Sequence, residues 1–359
     1  LEEPGSLEEL QAVAKAFVEE DPDGNGQKDT IGLLCDQRVG GLYNSNHTMD
    51  PVFGYYGSYP RQWLTDESGN VTYGTIAPET KEALATLRQM YADKLIDEEF
   101  AVRNPNDINA PLAAGKCGII FGPWWAAYTL QDSINNDPDA DWQPYLCPLD
   151  QNGEFKTYQQ EIHTYWAVVR KDFPHPEALM KLQSQLSEWL QPVKDLPEGY
   201  AYPYRGTPAD GKTIIPLNLQ FSEQDYMPKE YAALNEAEEK KDPGILSDVM
   251  VPVYEARLKY KEDPVANRDQ WSGYMARTGG YEVASMENVR VAENCVFFAM
   301  TDSMTARWTS LEKLENEALL AIITGEKDLD YFDEFVSQWK SLGGDQIMQE
   351  ATEIIKKQG

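Results

Sequence analysis

Histidine is nearly missing: three of 359 residues, His47, His163 and His175, stand far apart along the chain. Such spacing gives no support to a catalytic triad, and the "PHP" around His175 reads as a turn. Cysteine is scarce too. Cys35, Cys117, Cys147 and Cys295 form no CxxC and no short Cys/His pair, which argues against zinc. "KCGII" and "YLCPL" set Cys117 and Cys147 in apolar, strand-like runs, as buried inert thiols. Lys and Arg number 31 against 60 Asp and Glu, a net charge of −29. A chain so short of cations is poorly equipped to displace counterions from nucleic acid or to dock on an anionic membrane. The acidity reads as solubility. No apolar run reaches membrane-spanning length, GxGxxG is absent, and "DPDGNG" is not a phosphate loop. The chain opens almost directly into a helix without signal peptide or lipidation motif, so a processed or truncated chain is expected.

What is present suffices for a substantial core: 42% apolar and 11% aromatic residues, over a length that favours two lobes. "GSLEELQAVAKAFVEE" carries a capping box, Ser6 with Glu9, and an apolar stripe of Leu7, Leu10, Val13, Ala14 and Phe17. "TIGLL" reads as a short buried strand, and "APETKEALATLRQMYADKLI" as an amphipathic helix with Pro78 early. A strand is expected over Cys117 to Phe121, a helix after it, and further strands in "WQPYLCPL" and "HTYWAVVR". "HPEALMKLQSQLSEWL" is a helix. Residues 191–305 are the least regular, with helical patches near 229–240 and 245–260. Three C-terminal helices come next, punctuated by Gly325 and by Gly343-Gly344. Strands alternating with helices predict an α/β fold.

In "DPDGNGQKDTIGL", Asp21, Asp23, Asn25 and Asp29 occupy positions 1, 3, 5 and 9 of a calcium-loop pattern. Gly26 falls at the sharp turn, and Gln27 offers a backbone carbonyl. Hard oxygen ligands suit calcium rather than softer metals. Position 12 is Gly32 instead of the bidentate Glu of an EF-hand, so another oxygen is needed, from Thr30 or from a distant residue. An ordinary ion-free Asp/Asn/Gly turn is the alternative. The calcium would be structural, bracing the first helix against the strand.

Aromatics cluster on Gly-bearing loops: Trp124 and Trp125 in "GPWWAAY", Tyr55, Tyr56, Tyr59 and Trp63 in "YYGSYPRQW", then Trp271, Tyr274 and Trp308. Sugar rings present CH-rich faces that stack on such side chains, while their hydroxyls seek fixed polar partners. The alternative is ordinary packing.

The segments "DPDGNGQKDTIGL", "TYGTIAPETKEALATLRQMYADKLIDEEF", "AAGKCGIIFGPWWAAY" and "LEKLENEALLAIITGEKDLDYFDEFVSQWKSLGGDQI" together resemble the family 1 extracellular solute-binding proteins of carbohydrate ABC importers. The likeness is to the large lipoproteins of Firmicutes, with alginate- and maltose-binding proteins as remoter kin. It covers most of the chain except 191–290. It implies a periplasmic-binding-protein-like fold of type II, two α/β lobes about a hinge, with the opening part of the first lobe missing. On that plan residues 1–147 form the second lobe with the calcium loop and Trp pair. Residues 148–215 form part of the first lobe, and 216–359 return to the second. Trp124 and Trp125 match the family position that stacks on sugar; Tyr55, Tyr56, Trp63, Trp271 and Trp308 are further candidates for ligand contact. The metal ligands are taken as Asp21, Asp23, Asn25, Gln27, Asp29 and Thr30, the last standing where alginate-binding relatives place a Glu.

The implied function is a non-enzymatic one: capture of an oligosaccharide between hinged lobes for delivery to ABC permease subunits. The implied setting is the outer surface of a Gram-positive cell, with the chain as a monomer. Alternatives are a glycoside hydrolase, for which no carboxylate pair is nominated, and a calcium-stabilised surface domain.

Overall fold

The computed structural model describes residues 2–20, 22, 24, 26–42, 44–159, 167–190, 225–246 and 250–358. The chain divides into two compact units, Leu1–Glu161 with Met286–Gly359, and Ile162–Ser285. The dividing points therefore fall at 161/162 and 285/286, against the boundaries at 147/148 and 215/216 expected from sequence.

The first unit opens with α1 (Leu7–Glu19). The Ser6 hydroxyl accepts from Glu9 N at 3.2 Å, and the Glu9 carboxylate accepts from Ser6 N at 3.0 Å. This reciprocal cap satisfies amide groups the helix cannot reach. Leu7, Leu10 and Ala14 are buried, and the Phe17 ring lies over Gly118, where a Cβ would stand 2.1 Å from it. Only a glycine admits that approach. Next come β1 (Ile31–Leu34), α2 (Asp50–Tyr55), β2 (Trp63–Thr65), β3 (Val71–Tyr73), α3 (Pro78–Ala92), α4 (Asn109–Ala113), β4 (Cys117–Ile120), α5 (Gln131–Asn136) and β5 (Phe155–Gln159).

The second unit is helical in its described residues: α6 (Glu177–Leu190), α7 (Tyr226–Lys240), α8 (Val251–Glu262), α9 (Trp271–Met275) and α10 (Tyr281–Ala284). Leu234, Ala237, Leu246, Met250 and Tyr254 form its small core. Tyr281 donates to Glu230 at 2.7 Å, tying α10 to α7. The chain then returns to the first unit through β6 (Arg290–Asn294), α11 (Asp302–Ile323), α12 (Tyr331–Trp339) and α13 (Asp345–Gln358).

Three two-stranded sheets occur among the described residues, all in the first unit. β1 and β4 run parallel with Leu33 opposite Ile119, and Ile96 bridges Leu33 from the other side. β2 and β3 form an antiparallel hairpin, and β5 pairs with β6 in parallel. Alternation of helix and parallel strand is the α/β plan expected. The core lies between α3, α11, α12 and α13 and the hairpin, with Tyr73 stacked on Trp339 at 4.9 Å and 3°. The C-terminal helices break where expected, at Gly325 (φ 81) and Gly343 (φ 131).

Some expectations need correction. "WQPYLCPL" forms no strand: Pro144 and Pro148 lack the N–H a ladder needs, and the Cys147–Pro148 peptide is cis. In "HTYWAVVR" residues 163–166 lie outside the described residues, and 167–170 are irregular. Conversely, α2, the β2–β3 hairpin and β6 occupy stretches without a regular sequence pattern.

Phe335 is wholly buried in this core. Phe335→Ala is expected to cost ~3–5 kcal/mol, read as a lower urea midpoint at unchanged slope.

Candidate functional site

The carboxyl ends of the parallel strands β1 and β4 release two loops, 35–49 and 121–126. In open α/β sheets that end of the strands is where ligand contacts gather. Loop 35–49 is sharply bent, with positive φ at Val39 (61), Gly41 (78), Asn44 (55) and His47 (66). Non-glycine residues hold such angles only where their surroundings over-determine them. Here Arg38 donates through Nε to both Asp36 oxygens, at 2.9 and 3.0 Å, and through its terminal nitrogen to Asn46 O at 3.1 Å. Half-buried Asp50 accepts from Gly41 N at 2.7 Å and from the Thr48 hydroxyl at 2.7 Å. The second loop is stitched on by His47 N donating to Phe121 O at 2.8 Å. Gly122 is required there, because a Cβ would lie 2.4 Å from Asn46 Oδ1.

Beside Gly41 lies a hollow of about 230 Å³ walled by Trp63, Trp308, Phe298, Met300 and Met304, with Arg61 and Gln62 at its polar edge. Trp63 is nearly buried and braced by Tyr73 (4.6 Å), Trp308 (5.6 Å) and Phe297 (6.0 Å). Trp308, half-buried on α11, completes the aromatic wall. Arg61 itself holds a positive φ of 62. Its Nε donates to Glu315 Oε1 at 2.9 Å, and another guanidinium nitrogen donates to Asn316 Oδ1. The second Glu315 oxygen accepts from Tyr73 OH at 2.8 Å. Glu315 is 1% exposed, and burial raises its pKa while Arg61 opposes the rise. Burial likewise lifts the Cys295 thiol to about 12, so it stays protonated and donates to Gln62 Oε1 at 3.4 Å. An apolar wall facing a few fixed donors and acceptors suits a molecule with apolar faces and polar edges, as a sugar ring has.

The candidates from the sequence distribute unevenly. Trp63 and Trp308 meet at the hollow. Trp124 and Trp125 are half-buried on the neighbouring loop, and Trp125 Nε1 donates to Asn44 Oδ1 at 2.8 Å, three residues from Gly41. Tyr55 and Tyr56 do not line the hollow: they meet edge-on at 5.0 Å, and the Tyr56 hydroxyl shares a 2.6 Å hydrogen bond with that of Thr86. Trp271, 4% exposed, belongs to the second unit.

Of the calcium candidates, Asp21, Asp23 and Asn25 lie outside the described residues. Gln27 is exposed, and Asp29 pairs with the Lys116 ammonium. Thr30 Oγ1 is buried without a hydrogen-bond partner, an orphaned oxygen of the kind a hard cation satisfies. Among the described residues no group of three His, Cys, Asp or Glu is placed to hold a metal.

Comparison with known proteins then decides the family. The sequence pattern described as "Bacterial extracellular solute-binding protein" matches residues 1–184. The chain belongs to that family. Two Bacillus subtilis proteins are similar to this solute-binding chain along 99% of its length: the polygalacturonan/rhamnogalacturonan-binding protein YtcQ (23% identity) and lipoprotein LipO (22%). The chain spans 65% and 66% of the length of these relatives. Among solved structures, the alginate-binding protein AlgQ2 without calcium ion superposes with a TM-score of 0.60 at 16% identity, covering 99% of this chain and 69% of that one. An HMO-binding, ABC-transporter-associated solute-binding protein from Bifidobacterium longum infantis gives 0.57 at 15%, covering 99% and 70%. These likenesses establish the periplasmic-binding-protein-like α/β fold of type II.

Within this solute-binding protein, several site residues escaped sequence reasoning. Phe298, Met300 and Met304 fall in or beside the irregular stretch 295–301, which has no periodicity to place them. Glu315 reads as one more carboxylate on an amphipathic helix, and only its burial marks it. No helix among the described residues is long and apolar enough to cross a membrane.

His47 supplies a pH prediction. It is 5% exposed with Nδ1 unpartnered; burial lowers its pKa from 6.5 to about 4, with Asp36 opposing and Arg38 assisting. A depressed folded pKa means the contribution is complete above 6.5 and lost as pH falls through about 4. The loss amounts to ~3 kcal/mol. His47→Asn, which tolerates the left-handed backbone, is expected to flatten the urea-midpoint profile between pH 6.5 and 4 relative to wild type.

Proposed function

We propose that this chain is the substrate-binding component of an ABC importer that captures an oligosaccharide by aromatic stacking and hydrogen bonding, without catalysis. The observation that carries the proposal is the hollow walled by Trp63 and Trp308 with Arg61 held at its edge. Its relatives support the reading: one is a polygalacturonan/rhamnogalacturonan-binding protein, another is an HMO-binding, ABC-transporter-associated solute-binding protein, and FusA of S. pneumoniae has been solved in complex with kestose. Trp124 and Trp125 extend the aromatic surface beyond the hollow. The chain acts outside the cell as a monomer, tethered as a lipoprotein is, and hands its ligand to permease subunits.

A structural calcium completes the proposal. Asp21, Asp23, Asn25, the Gln27 carbonyl, Asp29 and Thr30 would hold it, and the orphaned Thr30 hydroxyl is the feature that supports it. Its part is to brace the turn between α1 and β1, and Asp29 would share its carboxylate between the ion and Lys116.

Isothermal titration with linear neutral and acidic oligosaccharides tests the binding function. One of them is expected to bind saturably and emerge chemically unchanged. Trp308→Ala is expected to weaken that binding about tenfold or more. Release of shortened products would establish a hydrolase instead. For the ion, calcium at 100 times its Kd is expected to add ~2.7 kcal/mol and raise Tm by roughly 3–4 °C, reversed by EGTA and abolished in Asp23→Asn. An unchanged Tm would dismiss it.

A further inference from the structure

Given carbohydrate capture, on which the inference rests, the charges around the hollow bear on which carbohydrates fit. Among its described lining residues Arg61 alone is charged. Such a cation invites a carboxylate-bearing sugar, yet two of its five N–H groups are already committed within the protein. Nε donates to Glu315 Oε1 at 2.9 Å, and a terminal nitrogen donates to Asn316 Oδ1. Glu315 is 1% exposed and fixed by Tyr73 OH at 2.8 Å, so it does not move aside. Asp50, half-buried and accepting from Gly41 N, adds its own field at Arg61. The stem is clamped as well: a Cβ on Gly41 would meet Arg61 Cβ at 2.8 Å. A bidentate grip on a carboxylate needs two parallel N–H groups presented together, and Glu315 and Asn316 occupy one of the two such edges, that of Nε and a terminal nitrogen. The Arg61 guanidinium and the Glu315 carboxylate that pairs with it together carry no net formal charge. The remaining wall, Trp63, Trp308, Phe298 and Met300, offers ring faces and thioether without charge. The −29 on the whole chain adds repulsion of the same sign.

We infer that this site selects neutral oligosaccharides over uronate-bearing ones, with Glu315 as the positioning residue that sets the preference by holding and neutralising Arg61. The residue does two things at once. It aims the guanidinium so that its remaining N–H groups meet hydroxyl oxygens, and it removes the net positive charge that would draw a carboxylate. Replacing it by an isosteric amide keeps the shape and one acceptor while taking the negative charge away.

The experiment compares five-residue neutral oligosaccharides (glucan, galactan, xylan, arabinan and fructan) with oligogalacturonate of the same length. Affinities are measured by calorimetry on wild type and Glu315→Gln at low and physiological salt, with Tm recorded for both proteins. Wild type is expected to bind at least one neutral ligand tenfold or more tighter than oligogalacturonate. Glu315→Gln is expected to narrow that ratio at least tenfold, most strongly at low salt, where charge is least screened. A merely structural role for Glu315 would weaken both ligands together and leave the ratio unchanged, which would overturn the inference. So would a wild-type preference for oligogalacturonate, a result that needs no variant to fold. Binding of none of these sugars would defeat the carbohydrate reading itself, an outcome distinct from a reversed preference.

Discussion

A buried ion pair holds the first unit's site in shape. Arg61 stands between the end of α2 and the β2–β3 hairpin, and Glu315 lies within α11, 254 positions later. Both oxygens of the Glu315 carboxylate are used, one by Arg61 and one by Tyr73, so the penalty of burying its charge is offset by directed partners. Removing one member would leave the other uncompensated, which is the more destabilising event. The same contact fixes Trp308, two turns before Glu315 on one helix, relative to Trp63, two residues after Arg61. An electrostatic clamp thus sets the spacing of an aromatic wall.

Secondary structure and chemistry meet at the chain ends of the parallel strands. β1 and β4 are short, and their pairing is covered by α1 on one side. Beyond β1 the chain enters a loop of left-handed residues tied by Asp36, Arg38 and Asp50. A loop built this way is costly to rearrange, because several hydrogen bonds from Arg38, Asp50 and His47 hold its bends at once. That rigidity suits a binding surface whose contacts are set before the ligand arrives.

Much of this was visible in the residues alone, for definable reasons. α1, α3 and the C-terminal helices carry strong 3.6-residue patterns with caps or glycine stops, and local signals of that kind survive any tertiary context. The C-terminal breaks at Gly325 and Gly343 needed only their backbone freedom. The hairpin was hidden because "RQWLTDESGNVTYG" mixes polar turn residues with strands of three, too short for alternation to show. β6 was hidden because its strand "RVAEN" leaves polar residues exposed. At the site, aromatic composition pointed to Trp63 and Trp308, which converge, but equally to Tyr56, whose hydroxyl is spent on Thr86. Counting rings on loops does not reveal which face a shared cavity; that depends on pairings such as Arg61 with Glu315, which no local pattern encodes.

The most direct test of the account follows the indole N–H signals of the nine tryptophans by ¹⁵N NMR as a neutral oligosaccharide is titrated in. Saturable shifts are expected at Trp308 and Trp63, assigned by single substitution, with Trp271 unmoved. Saturable binding that leaves both hollow-lining indoles untouched would contradict it.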